Sequence, residues 1–462
     1  MGVRMVANVS GLEAFRWEPQ PEADRLVRGL VGDFLRSVEA ASRLALRMRE
    51  ETGTRLFDWV DSLSVPASEA LRGRLEETGF IASGEGGANV YEHPGAIFPR
   101  IVLWGDSRTV LALKVDSVAD FLAAWRPAEE LPIEGEPYAP LRRAVIARAG
   151  RFSLMIVERH GETAWSVRAQ AREHALVTAR FLERFRLRQR EWRDWHAGFA
   201  QARKVINKAV QELGKDQACA WFFAAEREYW QSRNHAAQVQ KARQDRLGLG
   251  WANHDHHTYR SSRKCFVELI AALESLGMQC RERFYAGHEA GWGAQVLEQP
   301  RAGIVVFADV DLAAEEMRMD FAHESLAERR ELGTVGLWCG LHGESFLEAG
   351  MHHLECQFDF AALAEQLRRV YEIPVMKPFT DLPYLRQAFT GGERWPVRNE
   401  RVRELELQGL ITPEQAEEFL RDGAIGSHLE NLERNEGYKG FNQQGVSEII
   451  AATDPRRGVG KW

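Results

Sequence analysis

Two stretches of this 462-residue chain repeat one order of short apolar runs, and that repetition restricts the fold more than any other feature. From 248, GLGWANHDHHTYR reads as a strand, and SSRKCFVELIAALESLG spaces its apolar residues as a helix does and closes on Gly277. MQCRERFYAG, WGAQVLEQP and AGIVVFADVDL then read as three further strands. After a helical connection expected over 313–333, the order recurs. GMHHLECQFDF reads as a strand, AALAEQLRRVY as a helix, and YLRQAFT and RVRELELQG as later strands. The pattern predicts an α+β fold in which two β-α-β-β-β modules curl against each other.

The rest of the chain divides by texture. Residues 1–78 read as a helical N-terminal region, with LVRGLVGDFLRSVEAASRLALRMREE and LFDWVDSL carrying three- and four-residue apolar spacing. Residues 79–160 hold β-like runs (PRIVLW, TVLALKV, RRAVIARA, FSLMIVER) and one short helical piece, SVADFLAAW, and read as a degenerate β-α-β-β unit. Residues 161–247 read as a helical scaffold, 248–415 as the paired modules, and 416–462 as a C-terminal tail or lid. The helical stretch 161–245 carries 16 Lys/Arg against 10 Asp/Glu and five tryptophans, which raises RNA or membrane binding. Its charges are of mixed sign and its tryptophans fall at the spacing of a buried helix face, so scaffold is the stronger reading.

Composition excludes several classes. No apolar run approaches the 18 or so residues of a membrane span, and 45% hydrophobic residues suffice for packed cores. The segment MGVRMVANVSGLEAF lacks the apolar stretch of a secretory signal, so a cytoplasmic protein is expected. Cys219, Cys265, Cys280, Cys339 and Cys356 are odd in number and never form CxxC, which argues for reduced thiols. A net charge of -7 argues against nucleic acid. A homodimer is a candidate assembly.

Histidine is distributed unevenly. Eight of 14 (His254, His256, His257, His288, His323, His342, His352, His353) fall between 254 and 353. Two successive β-α-β-β-β units are the signature of the vicinal-oxygen-chelate fold, which wraps paired modules around a metal. Alternation along strands puts His254 and His256 on one face with His257 opposite, and His353 with Glu355 on one face with His352 opposite. Glu404 and Glu406 share a face of the expected last strand. Two imidazoles and one carboxylate leave three adjacent positions open, a set suited to non-haem Fe(II).

Three motifs carry a resemblance. The run Asp255-His256-His257-Thr258-Tyr259-Arg260 is similar to the His-x-x-x-Arg motif of the 2-oxoadipate dioxygenase/decarboxylase (hydroxyglutarate synthase) family. His352-His353-Leu354 resembles its Asn-His-Leu strand. Arg403-Glu404-Leu405-Glu406-Leu407-Gln408-Gly409, after Leu385-Arg386-Gln387, resembles its Gly-Glu-Ile-Glu-Gln-Arg-Gly strand. The resemblance covers about 250–415 and departs in the long N-terminal part that precedes the first motif. It implies His256, His353 and Glu404 as metal ligands, Fe(II) as cofactor, and a small 2-oxo acid and O2 as substrates. The acid would be oxidatively decarboxylated with release of CO2 and then hydroxylated.

Arg260 is the expected catalytic and substrate-binding residue, because its planar guanidinium pairs bidentately with a carboxylate. Gln387 is expected to bind the same acid. Secondary candidates are His254, His288 and Glu289 in AGHEAGWG, and His342 and Glu344 in GLHGES. Gly437–Gln444 is a candidate lid. Two further readings stand beside the oxygenase: an isomerase or lyase using Mn(II), Ni(II) or Zn(II) as a Lewis acid, and a non-catalytic metabolite-binding module.

Overall fold

The computed structural model describes residues 17–83, 89–288, 290–380, 382–441 and 454–456. It is a mixed α+β protein built on two sheets. The first contains β1 (Val60–Pro66), β2 (Ile81–Ala82), β3 (Asn89–Glu92), β4 (Arg100–Trp104), β5 (Thr109–Lys114), β6 (Leu141–Ala149) and β7 (Phe152–Arg159), in the order β2-β3-β4-β1-β5-β7-β6. The second contains β8 (His254–Arg260), β9 (Gln279–Tyr285), β10 (Trp292–Gln299), β11 (Ile304–Asp311), β12 (His353–Gln357), β13 (Leu385–Phe389), β14 (Glu393–Trp395) and β15 (Ala424–Arg434). Its order is β13-β15-β12-β8-β11-β10-β9, with β14 also pairing to β15.

The two sheets share one plan. In each, two modules meet through antiparallel first strands, β1 with β5 and β8 with β12. Within every module the first and last strands are parallel neighbours: β1 and β4, β5 and β7, β8 and β11, β12 and β15. A parallel pair needs a crossover. The helices Glu69–Glu77, Val118–Trp125, Phe266–Ser275 and Phe360–Tyr371 follow the four first strands and begin those crossovers.

Four local expectations are corrected. LFDWVDSL is a 3₁₀ turn, Leu56–Trp59, leading into β1, so the first sheet draws on residues before 79 and holds two modules. β1 sits at the sheet centre with four consecutive buried residues, and its alternating stretch, Ser62-Leu63-Ser64-Val65, is only four residues long and follows directly on the helix-like spacing of LFDWVDSL. RVRELELQG lies mostly in a helix, Asn399–Leu407, whose buried residues Val402 and Leu405 are three apart while strong helix formers occupy the wet face. The 313–333 connection holds a 3₁₀ turn, Ala314–Arg318, and the helix comes later at Thr334–His342. Its N-terminus is fixed by Asp311, whose carboxylate accepts from the Val335 and Gly336 amides at 3.0 and 2.8 Å. Finally, β15 is an interior strand, so the second pair of modules runs to Arg434 and not to 415.

Helices Arg172–Arg186, Trp195–Leu213, Lys215–Gln231 and His235–Asp245 contribute Phe181, Phe199, Phe223, Trp230 and Ala237 to one core with Tyr259, Val306, Leu354 and Leu429 from the back of the second sheet. Several buried polar groups there are partnered. Glu226 accepts from Arg190 at 2.7 Å, Arg188 at 3.0 Å and Tyr259 at 3.1 Å, and the Trp230 indole donates to Ser427 at 2.8 Å.

Candidate metal centre

Residues opposite one another across a ladder project to the same side of a sheet. Between β8 and β12, His256 faces Glu355 and Thr258 faces His353. Between β12 and β15, His353 is in register with His428 and Glu355 with Glu430. The same face continues through Phe307 and Asp309 on β11, opposite Thr258 and Arg260, and through Phe389 on β13, opposite Glu430. The register alone therefore gathers His256, His353, Glu355, His428 and Glu430, all buried, on the face turned away from the helical scaffold.

His353 Nε2 lies 2.9 Å from Glu430 Oε2 and 2.8 Å from Thr258 Oγ1, and His256 Nε2 lies 3.9 Å from the same Glu430 oxygen. One donor atom from each of His256, His353 and Glu430 falls within 4.8 Å of the others. Ligands at about 2.1 Å from a common ion sit roughly 3 Å apart, so small side-chain adjustments bring all three onto one cation.

The surroundings orient this set. His256 Nδ1 is 3.0 Å from Glu355 Oε1 and 3.3 Å from Asp255 Oδ2. Arg434 holds Asp255 with two bonds of 3.0 Å, and the Gln387 amide donates to Glu355 Oε2 at 3.1 Å. A histidine whose far nitrogen meets a carboxylate presents its other nitrogen in a fixed direction, the arrangement typical behind metal-binding imidazoles.

The electrostatics fit a cation. Burial, with Glu355 beside it, pushes the Glu430 carboxyl well above its ordinary range. Burial works against the charged form of His256, yet Glu355 and Asp255 carry its pKa up to about 9. Burial and the neighbouring His428 drive His353 well down, so its imidazole is neutral. Arg434 holds the Asp255 carboxyl low, while burial keeps a proton on the Glu430 carboxyl and the carboxylates around His256 keep one on its imidazole. A divalent ion supplies that charge without protons.

Of the expected site residues, His256 and His353 come together. Glu404 does not. It is exposed on the helix Asn399–Leu407, where its carboxylate accepts from Gln408 at 3.2 Å, and Glu430 is the carboxylate beside the two histidines. A signal for Glu430 was present in AIGSHLENLER, where His428, Glu430, Leu432 and Arg434 alternate with Leu429 and Asn431. His428 stacks on Phe389 at 4.1 Å and on His353 at 5.1 Å between ring centres, and burial holds its pKa down to about 3.

Arg260 is buried on the same face, its guanidinium 5.7 Å from the Trp338 ring centre. Asp309 exerts the strongest charge effect on it, and burial lifts the Asp309 carboxyl to about 7 against the pull of Arg260. Gln387 reaches the centre through Glu355.

The secondary candidates lie elsewhere. His342 bonds to the Ile425 carbonyl at 3.2 Å, Glu344 accepts from Ser261 and Ser262, and His254 sits beside His257 with ring centres 5.2 Å apart. His288 is exposed, and Glu289 lies outside the described residues. Of the expected lid, Asn442–Gln444 also lie outside them. The segment before it is anchored: Arg434 donates to the carbonyls of Tyr438 and Gly440. Phe441 packs on Phe307 at 4.9 Å, and Phe307 lies 4.4 Å from the His256 ring.

Strand order and pairing define a protein of vicinal-oxygen-chelate architecture, with a two-histidine, one-carboxylate cluster in its second pair of modules. No family model and no curated protein matches the sequence. Among solved structures, the chain is similar to a 4-hydroxymandelate synthase mutant from Streptomyces coelicolor (12% identity, 86% of this chain and 98% of that one, TM-score 0.27). It is also similar to a putative glyoxalase superfamily protein from Ralstonia eutropha (11%, 58% and 97%, 0.32) and to methylmalonyl-CoA epimerase from Mycobacterium tuberculosis (13%, 40% and 88%, 0.23).

Proposed function

We propose that this protein is a non-haem Fe(II) dioxygenase that oxidatively decarboxylates and hydroxylates a small 2-oxo acid of the 2-oxoadipate type. The observation that carries the proposal is the buried grouping of His256, His353 and Glu430 with Arg260 on the same sheet face. These three residues would hold the ion, which when bound supplies oxygen activation and a chelation point for the 2-oxo group. The remaining work belongs to the chain. Arg260 offers a desolvated, planar donor fork to the substrate carboxylate. Asp309 beside it keeps that charge balanced before substrate arrives. Gln387 through Glu355, and Arg434 through Asp255, fix the His256 ring. Phe307, Phe389 and Phe441 exclude water from the same face.

The test is anaerobic reconstitution followed by elemental analysis and a screen of 2-oxo acids of different chain length at an oxygen electrode. The proposal expects close to one iron per chain and oxygen uptake only when a 2-oxo acid is present. Turnover of such an acid without oxygen would replace it with Lewis-acid chemistry.

A further inference from the structure

A second group of metal-binding side chains lies on the outer edge of the same sheet. Glu274 is in the last turn of the helix Phe266–Ser275, Cys280 is on the edge strand β9, and His323 is in the segment after β11. One donor atom from each lies within 4.8 Å of the other two. His323 is oriented as a ligand would be. Its Nδ1 is 2.8 Å from Asp320 Oδ2, which directs Nε2 toward Glu274, 3.0 Å away. Asp320 is itself held by Arg283, which donates to its other oxygen at 2.7 Å. A carboxylate behind the imidazole, and a thiol beside a second carboxylate in front, give a borderline-soft cation three inner donors and an outer orienting group.

From this geometry we infer that Glu274, Cys280 and His323 form a zinc-class site, separate from the His256 cluster, with its fourth position open to solvent. Thiolate and imidazole favour Zn(II) or Co(II) over Mg(II) and Ca(II), which prefer all-oxygen sites. The ion would tie the end of a helix and a loop to β9, the terminal strand of its sheet and one whose outer edge pairs with no strand among the described residues. Cys280 also faces Leu297 beside a bulge in the β9–β10 ladder, where regular pairing is interrupted. The competing account is an imidazolium bridging two carboxylates with a bystander thiol.

Of the five cysteines only Cys280 is exposed, so a thiol reagent applied to the native full-length chain reads this site alone. Saturating Zn(II), but not Mg(II), is expected to suppress labelling of Cys280 almost completely. Co(II) is expected to give a sulfur-to-cobalt charge-transfer band that Cys280→Ser removes. His323→Ala should abolish protection, and Asp320→Asn should weaken zinc affinity about 10- to 100-fold. Glu430→Ala should leave protection intact. Unchanged labelling in excess zinc, a cobalt band surviving in Cys280→Ser, or equal zinc affinity in wild type, His323→Ala and Asp320→Asn would overturn the inference.

Discussion

His353 Nε2 lies 2.9 Å from Glu430 Oε2 because β12 and β15 run parallel with Glu355 in register with Glu430. Glu430→Ala is therefore expected to reduce bound iron from near one per chain to near zero and to abolish oxygen uptake. Glu404→Ala, on an exposed helix, should leave both unchanged. Metal content measured on the two purified variants decides between these carboxylates.

Metal loading should depend on pH with a definite sign. In the metal-free protein His256 holds a proton up to about pH 9, so a cation binding below that pH must displace it. Apparent affinity should rise by up to about tenfold per pH unit for each proton displaced and level off once His256 is neutral. Calorimetric titration in buffers of different ionisation enthalpy counts the released protons. Affinity independent of pH across this range would contradict the electrostatic account.

Arg434→Lys keeps the charge but loses the two parallel bonds to Asp255. It should weaken iron binding by about 10- to 100-fold, the usual cost of disturbing groups behind a metal ligand, with circular dichroism unchanged. Equal iron affinity in the variant would show that Asp255 does not orient His256.

The second pair of modules was legible because β8, its helix and β9–β11 stand as separate runs divided by turn residues such as Gly277, Gly287 and Pro300. The site was half legible. His256 and His353 begin their modules in histidine-rich strands, which drew attention to them. Glu430 follows two inserted helices, Asn399–Leu407 and Pro413–Asp422, and the Glu-rich first of these imitates the expected motif. A four-residue window such as Glu404–Leu407 satisfies a strand and a helix alike, and the packing of Val402 and Leu405 decides for the helix. The first sheet was obscured for a different reason: the alternation of β1 is confined to residues 62–65, and the run LFDWVDSL that overlaps it carries helix-like spacing.

Gly426 marks a tight spot behind the site. A Cβ placed there would meet the Trp395 indole at 2.0 to 2.6 Å, and Trp395 is itself packed against Trp338 and His342. Gly426→Ala should destabilise the fold by about 1–3 kcal/mol, the range for overpacking a core, with a lower urea midpoint. A midpoint equal to that of the wild type would show that Trp395 can move aside.

The central claim is that His256, His353 and Glu430 hold one iron that couples oxygen to a 2-oxo acid. Its most direct test measures oxygen consumption and carbon dioxide release together, on iron-loaded wild type and on His353→Ala. The account predicts equal molar amounts of both gases from the wild type, only in the presence of a 2-oxo acid, and neither from the variant. Full oxygen uptake by His353→Ala, or carbon dioxide released without oxygen consumed, would contradict it.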